Sequence, residues 1–362
     1  MPLHLFLRCG IDLLVRRRAQ TESFEDYIIE KYGHTLYKVF FKPYTERFLE
    51  YKCSNLHRDW ATAGINRATI DKKLDTGSLA ALVRSVLFSI PVKTKFIYPQ
   101  SGGIGVFSEK LASGIRNHGA TIFLSTQVSE FVTEDRNIRA IKTNTGKEIP
   151  VGHVFWSGSL TSLRSLDHSG AGVPRLHYMS SVFYNYFIGR QINNGFQWCY
   201  FGDPGIEIDR ISVPRNFNPA LVPPGKEGLC IEVCCTEESS TWKDPARLDS
   251  VLETFLVRAR LLSSLDHIEG YHVERVRETY PLYVLNYPRK LKSYFEWVNT
   301  TWHNLTLVGR TGRFWYNNMD NSIAASLDTA ERFLAGYRKG VLPHGDAYSV
   351  EDRYLKGMTP SP

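Results

Sequence analysis

The sequence predicts a mixed α/β fold, because three features of the 362-residue chain point the same way. Several segments carry apolar residues at a spacing of three to four, which is typical of amphipathic helices. Others carry short runs of β-branched and aromatic residues between turn residues, which is typical of strands. Hydrophobic residues make up 43% and charged residues 22%, a composition that excludes disorder, collagen and a coiled coil.

Amphipathic spacing identifies the predicted helices, which span residues 23–42, 77–90, 106–118 and 245–263 and, near the end, the residues from about 321. Ser23 can cap the first of them, and Pro43 is expected to break it. Gly119 provides the stop of the third helix. The last helix carries its apolar residues on one stripe, formed by Ile323, Leu327, Ala330, Leu334 and Tyr337.

Short β-rich runs identify the predicted strands, at residues 120–125, 128–133, 138–143, 153–156, 176–190, 197–201, 228–235 and 305–308. Turn residues separate them, among them Asp135-Arg136-Asn137 and Asn144-Thr145-Gly146. The Pro-rich stretch 213–224 is predicted to be a loop, and the polar tail after about residue 341 is predicted to be loose.

The first twenty residues are apolar and then basic, with Arg16, Arg17 and Arg18 near their end. A secretory signal has the opposite order, with its basic residues first. We interpret the segment as an internal helix, with a signal peptide and a membrane-surface helix as the alternatives. No apolar run reaches the ~18 residues of a membrane span, so no span is predicted and the expected location is the cytoplasm.

Charge and cysteine content limit the classes of partner and metal site that the chain is expected to have. The net charge of +7 is spread along the chain, which does not favour nucleic acid as a partner. The six cysteines include no C-x-x-C pair, so no zinc site is predicted, and free thiols in a reducing compartment are expected. Motifs for a serine nucleophile or a P-loop are absent, and the histidines lack metal-ligand spacing.

Three segments have compositions that suit a ligand site. The first, residues 98–105, has Gly102 and Gly103 directly before a helix, where backbone can approach a ligand closely. The same glycines also suit a tight loop without a ligand. Another segment, residues 279–287, is dense in aromatic side chains, which line pockets about as often as they form plain core.

The third segment, residues 308–320, is the most informative of the three. A buried strand is expected to deliver Gly309 and Arg310 to its carboxyl end, and Asp320 then stands at a helix start. Two arginines, Tyr316 and an amide-rich turn around an open helix end suit a phosphate-bearing ligand. The alternative is a helix cap beside two solvated arginines.

Three stretches together resemble a known family of flavin proteins. They are SFEDYIIEKYGHTLYKVFFKPYTERFLEYKCSNL at 23–56, YPQSGGIGVFSEKLASGI at 98–115 and LTLVGRTGRFWYNNMDNSIAASL at 305–327. Their order and spacing resemble those of the FAD-dependent amine oxidase and protoporphyrinogen oxidase superfamily, which includes the UDP-galactopyranose mutases. The resemblance covers roughly residues 1–340.

The resemblance implies a glutathione-reductase-type FAD-binding fold, N-terminally truncated, with an interleaved substrate domain. The expected division is a helical part of the substrate domain at 1–95, FAD-domain residues at 96–160, a substrate domain with a mixed sheet at 161–290, a C-terminal FAD-binding segment at 291–340 and a tail at 341–362. The strand and turn with G-x-G-x-x-G that carry the FAD pyrophosphate in such families are not found in this sequence. We therefore expect an incorrect coding start, a degraded copy, or a separate Rossmann-type fragment as a partner.

The resemblance also implies roles for individual residues. Gly102 and Gly103 match the family's glycine loop, and Val128 matches the segment whose backbone meets the adenine. The residues that match positions near the flavin and its ribityl chain are Gly309, Arg310, Met319 and Asp320. Tyr316 matches a tyrosine that helps to hold the substrate's phosphates in the mutases, and Arg310 with Tyr316 is the expected catalytic pair.

The activity that the resemblance implies is that of an FAD-dependent oxidoreductase acting on a small molecule of unknown identity. Two alternatives stay open. One is a UDP-galactopyranose mutase-like enzyme acting on a nucleotide sugar, and the other is a non-catalytic chain that complements a separate FAD-binding piece. The first alternative is distinguished by its need for UDP-galactopyranose and a reduced flavin.

Overall fold

A computed structural model describes residues 3–15, 20–61, 63, 97–167, 173–192, 194–203 and 205–339. Helices and strands are interspersed along the chain, which confirms the predicted mixed α/β class. The predicted helix at 77–90 and the tail after residue 341 lie outside the described residues. No helix among those described is both long enough and apolar enough to cross a membrane.

The α-helices are α1 (Leu3–Leu14), α2 (Phe24–Tyr32), α3 (His34–Leu36), α4 (Lys42–Leu49), α5 (Gly105–Asn117), α6 (Leu160–Ser165), α7 (Pro214–Phe217), α8 (Ser240–Lys243), α9 (Asp249–Arg258), α10 (Tyr287–Thr301), α11 (Gly309–Gly312) and α12 (Met319–Arg338). A π-helix spans Tyr37–Phe41, and short 3₁₀ turns span Cys53–Asn55, Pro219–Leu221, Pro245–Leu248 and Leu265–His267.

The strands are β1 (Val128–Glu134), β2 (Asn137–Thr143), β3 (Glu148–Pro150), β4 (Val154–Trp156), β5 (Tyr178–Ile188), β6 (Trp198–Tyr200), β7 (Arg210–Ser212), β8 (Glu227–Cys235), β9 (Ile268–Pro281) and β10 (Leu305–Leu307). They form three sheets in the described part of the chain, with the strand orders β1-β2-β3, β10-β4 and β6-β7-β8-β5-β9.

The chain divides into two compact units. The first consists of Met1–Ile122 and Met179–Thr279, and the second consists of Phe123–Tyr178 and Tyr280–Pro362.

The first unit has its core on one face of the five-stranded sheet. Alternate residues of β5 and β8 point to this face, because successive strand side chains lie on opposite sides of a sheet. Helix α9 packs there with Leu252 and Leu256. The strand residues of this core are Val182, Tyr184, Tyr186, Ile188, Ile211, Leu229, Ile231 and Val233.

The second unit is organised around the parallel pair of β4 and β10, in which Leu305 lies opposite Val154. The side chain of Asn304 ties this pair to the hairpin of β1 and β2. Its amide nitrogen donates to the carbonyl oxygens of Ile138 and Gly152, and its oxygen accepts from the backbone N–H of Ile138. Such a fully bonded buried amide fixes the register between separate segments.

The sequence predicts that Pro43 breaks the first helix, and the structure shows that it does not. Ser23 caps α2 as predicted, accepting from the N–H of Asp26. The helix instead ends at Gly33, and the chain winds again through α3 and the π-helix into α4, where Pro43 occupies the first turn. The winding is continuous there, because the N–H of Lys42 donates to the carbonyl oxygen of Tyr37 across the wider π-helical turn, and Pro43, which has no N–H, follows directly.

Further element predictions differ from the structure. Residues 120–125 form no strand, and the predicted loop at 213–224 contains α7 and a 3₁₀ turn. The helix predicted at 245–263 begins as a 3₁₀ turn and continues as α9 only to Arg258. Strand β9 and helix α10 were not predicted. Strand β9 lies at the edge of its sheet and has polar residues on both faces, which removes the alternation that marks a strand.

Candidate functional site

The candidate site begins where β10 ends, as the sequence predicts. All three residues of β10 are buried, and the chain then passes through Gly309 into the short helix α11. Gly309 has a φ of +73°, a left-handed conformation that residues with a Cβ seldom adopt. A Cβ at Gly312 would lie 2.5 Å from the carbonyl oxygen of Trp156, so only glycine fits there. These two glycines set the path of the turn that carries Arg310.

Arg310 lies between two tyrosine rings of the second unit. Its guanidinium carbon is 4.9 Å from the ring centre of Tyr280 and 4.4 Å from that of Tyr316. The two rings are themselves in edge contact, with centres 5.4 Å apart. The Nη1 of Arg310 donates to the carbonyl oxygen of Asn317 at 3.1 Å. Cation–π contacts on two sides and this hydrogen bond hold the guanidinium in one orientation.

Two hydrogen-bond donors of this turn are buried without an acceptor. They are the Nε of Arg310 and the Nδ2 of Asn317. Asn317 is 2% exposed, and its Oδ1 accepts from the hydroxyl of Ser322 at 3.0 Å. A buried donor without a partner costs about 1–3 kcal/mol, and more when it is charged. Such donors at neighbouring positions are expected where a ligand supplies the acceptor.

Helix α12 starts directly after these donors. Its cap residue, Asn318, makes no side-chain capping bond, and Asp320 lies in its first turn. Met319 and Asp320 are exposed. The first N–H groups of a helix have no partner within it and carry partial positive charge, so this end favours an oxygen acceptor.

Two tyrosine side chains stabilise the turn through hydrogen bonds to its backbone. The N–H of Tyr316 donates to the hydroxyl of Tyr283 at 2.9 Å, and this hydroxyl donates to the carbonyl oxygen of Phe314. The hydroxyl of Tyr178 donates to the carbonyl oxygen of Thr311 at 2.9 Å. The sequence left two roles open for the aromatic segment at 279–287, namely lining a pocket and forming plain core. Its residues differ in this respect. Tyr283 is core, whereas Tyr280 contacts Arg310.

The second arginine of the turn has a structural role. The Nε of Arg313 donates to the carbonyl oxygen of Leu307, and its Nη2 donates to the hydroxyl of Thr329. Arg313 thus connects the end of β10 to the middle of α12. The sequence pattern placed both arginines at a ligand, whereas in the structure the Nε of Arg313 is bonded to the backbone and the Nε of Arg310 is buried without a partner.

The remaining predicted site residues lie elsewhere in the chain. Gly102 and Gly103 belong to the first unit and have φ values of +75° and +67° in the turn before α5. The Nδ2 of Asn218 donates to the carbonyl oxygens of Pro99 and Gln100, which fixes this turn within the first unit. Val128 is the first residue of β1 in the second unit. The structure thus brings together the predicted residues Gly309, Arg310, Tyr316, Met319 and Asp320.

Metal ligation is not indicated in the part of the chain that the structure describes. No group of three or more His, Cys, Asp or Glu side chains there could hold an ion. All six cysteines are free, and Cys53, Cys234 and Cys235 are buried. Burial raises the pKa of the Cys235 thiol to about 11 and that of the Cys230 thiol to about 11. These thiols are therefore protonated and weakly nucleophilic near neutral pH.

Solved structures share the fold of this chain. Reduced UDP-galactopyranose mutase superposes with a TM-score of 0.73 at 16% identity, covering 92% of this chain and 74% of the mutase. A protein described as a putative protoporphyrinogen oxidase from Exiguobacterium sp. 255-15 superposes with a TM-score of 0.63 at 15% identity. The superposition covers 92% of this chain and 73% of that protein's chain. Putrescine oxidase bound to putrescine gives a TM-score of 0.54 at 11% identity, covering 92% and 74%.

These superpositions confirm the fold class that the sequence resemblance implied, and the N-terminal truncation stays a prediction. No protein-family model matches the sequence, and no curated protein matches it. At identities of 16% and below, a shared fold does not by itself assign an activity. The activity has to be argued from the residues of the site.

Proposed function

We propose that this chain is an FAD-dependent oxidoreductase that acts on a small molecule. The observation that carries the proposal is the pair of buried, unpartnered donors on Arg310 and Asn317 at the start of α12. A ligand with oxygen acceptors, such as the ribityl chain and phosphates of FAD, would satisfy both donors. The fold shared with reduced UDP-galactopyranose mutase and with putrescine oxidase supports the proposal.

Several residues of the second unit would hold the cofactor. Gly309 and Arg310 follow the buried strand β10, and Met319 and Asp320 are the first two residues of α12. We propose that the flavin and ribityl end binds there and that the adenine lies near Val128 of the same unit. The bound flavin would supply hydride acceptance from a C–H or C–N carbon.

The charge of the site favours an anionic or neutral substrate. Arg310 is fixed between Tyr280 and Tyr316 by two cation–π contacts. A cationic amine brought against these rings would meet the guanidinium charge, which repels it. An anionic group would gain from the same charge. Arg310 would also stabilise negative charge on a reduced flavin.

A nucleotide sugar is the second candidate substrate, since its phosphates fit this charge. The observation that favours it is the contact of Tyr316 with the guanidinium of Arg310, which places a hydroxyl-bearing ring beside a cation. In that case the enzyme would rearrange UDP-galactopyranose with a reduced flavin and no net oxidation. An oxidoreductase would leave this sugar unchanged and would reduce its flavin with another substrate.

The surface of α12 suits a partner polypeptide. The apolar stripe of this helix is largely exposed, with Leu327 60% and Tyr337 66% exposed, and consists of Ile323, Leu327, Ala330, Leu334 and Tyr337. We propose that a separate Rossmann-type strand-helix-strand piece covers this stripe and adds its pyrophosphate-binding turn. The proposed location is the cytoplasm, where free thiols such as those of this chain persist.

Anaerobic reduction of the FAD-loaded chain tests the proposed activity. Candidate anionic substrates are expected to bleach the flavin absorbance of the native chain, and Arg310→Ala is expected to abolish the bleaching. UDP-galactopyranose with dithionite-reduced flavin is run in parallel, and formation of the furanose would favour the mutase instead. Retained turnover in Arg310→Ala would refute the role given to this arginine.

The partner is tested with Leu327→Glu. This variant is expected to lose co-purification with a Rossmann-type polypeptide. Leu7→Glu, at a leucine of equal exposure in the first unit, is the matched control and should keep it.

A further inference from the structure

Helix α1 presents an apolar face to solvent. Leu7, Ile11, Leu14 and Val15 are 59%, 58%, 68% and 69% exposed, respectively. Their spacing of three and four residues places them on one side of the helix. Four large apolar side chains exposed in a row are unusual on a protein surface, where single exposed residues are the rule.

The opposite face of α1 is fixed to the first unit. The Oδ2 of Asp12 accepts a hydrogen bond from the N–H of Thr35 at 2.5 Å. The helix also approaches Gly33 so closely that a Cβ there would lie 2.6 Å from the Cβ of Asp12. Because Asp12 faces inward, the orientation of α1 is set, and its apolar side is held outward.

Positive charge accompanies this apolar face. Arg8 is exposed on α1, between Leu7 and Ile11 in the sequence and on the same side of the helix. Arg16, Arg17 and Arg18 follow Val15 in the sequence. Asp12 is the one acidic residue among the first twenty, and it is engaged by Thr35 on the inward side. Among the described residues, the outward side of α1 thus combines apolar residues with Arg8 and has no acidic one.

We propose that α1 docks the protein onto an anionic lipid surface. The helix would lie in the plane of the membrane interface, with Leu7, Ile11, Leu14 and Val15 among the acyl chains and Arg8 at the phosphate headgroups. The charge decides between the possible occupants. A second copy of this chain would place Arg8 against an identical basic face, whereas anionic headgroups neutralise its charge.

Vesicle sedimentation with the full 362-residue chain tests this proposal. The chain is expected to sediment with phosphatidylcholine vesicles that contain phosphatidylserine, and to remain in solution with pure phosphatidylcholine. High salt should weaken the binding, because it screens the arginines. Arg8→Gln should weaken it about fivefold, the contribution of one basic residue at an anionic surface.

Leu7→Glu and Ile11→Glu are expected to reduce vesicle binding by about tenfold or more, since each removes an inserted side chain and adds repulsion. Both positions are exposed, so the fold should be retained, which circular dichroism checks. Leu327→Glu, at 60% exposure in the second unit, is the matched control and should bind as the native chain does.

Three outcomes would overturn the proposal. The folded native chain could fail to sediment with anionic vesicles at low salt. Leu327→Glu could lose as much binding as Leu7→Glu, which would indicate non-specific adsorption. Light scattering could instead show a dimer that Leu7→Glu dissociates, with no vesicle binding, which would assign the face to a second copy of the chain. None of these readouts depends on flavin.

Discussion

Replacing Arg310 should weaken FAD binding by an amount that the structure allows us to work out. The Nε of Arg310 is a charged donor, buried and without an acceptor. A hydrogen bond to a charged group is worth about 1.5–3 kcal/mol, which corresponds to roughly 10- to 150-fold in affinity. Arg310→Lys keeps the charge but lacks both the Nε donor and the planar stack on Tyr280 and Tyr316, so it should lose affinity within this range.

Arg310→Met should lose more affinity, because it also removes the charge. Its effect on stability without ligand should be small. The two cation–π contacts are worth about 0.5–1 kcal/mol each at a partly exposed site, and the bond to the carbonyl oxygen of Asn317 adds about 1 kcal/mol or more. Removing the buried, unpartnered Nε returns about 1–3 kcal/mol, so we expect the free energy of unfolding without FAD to change by less than about 2 kcal/mol.

Quenching of FAD fluorescence measures the affinity, and urea denaturation without FAD measures the stability. The matched control is Arg332→Met on α12, which removes a surface ion pair with Asp328 and should change neither value appreciably. If Arg310→Met bound FAD as tightly as the native chain, the assignment of the unpartnered Nε to the cofactor would be refuted.

Three further predictions concern the folded chain. Gly309→Ala should lower the free energy of unfolding, measured by urea denaturation, by about 1–2 kcal/mol. The cause is its φ of +73° alone, since the nearest atom to the new Cβ is 3.6 Å away. Gly114→Ala within α5 is the control and should not destabilise the chain, and equal effects of the two changes would contradict this. Tyr283→Phe leaves the N–H of Tyr316 without its acceptor and should cost about 1–3 kcal/mol in the same assay, and an unchanged midpoint would be inconsistent with the bond. Burial raises the pKa of Asp209 to about 7 against the opposing effect of Arg47, so between about pH 4 and 7 the folded chain holds a proton that the unfolded chain has released. The free energy of unfolding should therefore fall by about 2 kcal/mol from pH 5 to pH 7, and Asp209→Asn should remove this fall; identical pH dependence in both chains would disprove it.

Several helices and strands could be predicted from the residues of their own segment and its flanking turns. The hairpin of β1 and β2 was predicted from two β-rich runs and the turn at Asp135 and Arg136, which adopt φ values of +48° and +61°. Helix α5 was predicted from its apolar spacing and from Gly119, which adopts the left-handed conformation just beyond the helix. In both cases the signal lies within one short segment of the sequence.

Elements whose conformation depends on distant contacts were missed. Strand β9 is stabilised by pairing at a sheet edge rather than by an apolar face, so its own residues do not reveal it. The winding through Pro43 depends on a π-helix, which single-sequence patterns do not indicate.

The candidate site shows the same division between local and distant information. The position of Gly309 and Arg310 at a strand end was predictable, because a buried apolar run precedes them. The stacking of Arg310 on Tyr280 was not, since the two residues are 30 positions apart in the sequence and meet only in the fold. The different roles of Arg310 and Arg313 likewise depend on which carbonyl and hydroxyl groups lie within reach of each.

The visible absorption spectrum of the purified chain, incubated with FAD and then desalted, tests the central claim most directly. The account predicts that a flavin spectrum remains with the protein, that denaturation releases FAD, and that Arg310→Met retains much less of it. A native chain that is folded but colourless after this treatment would contradict the assignment of a flavin site to the turn between β10 and α12.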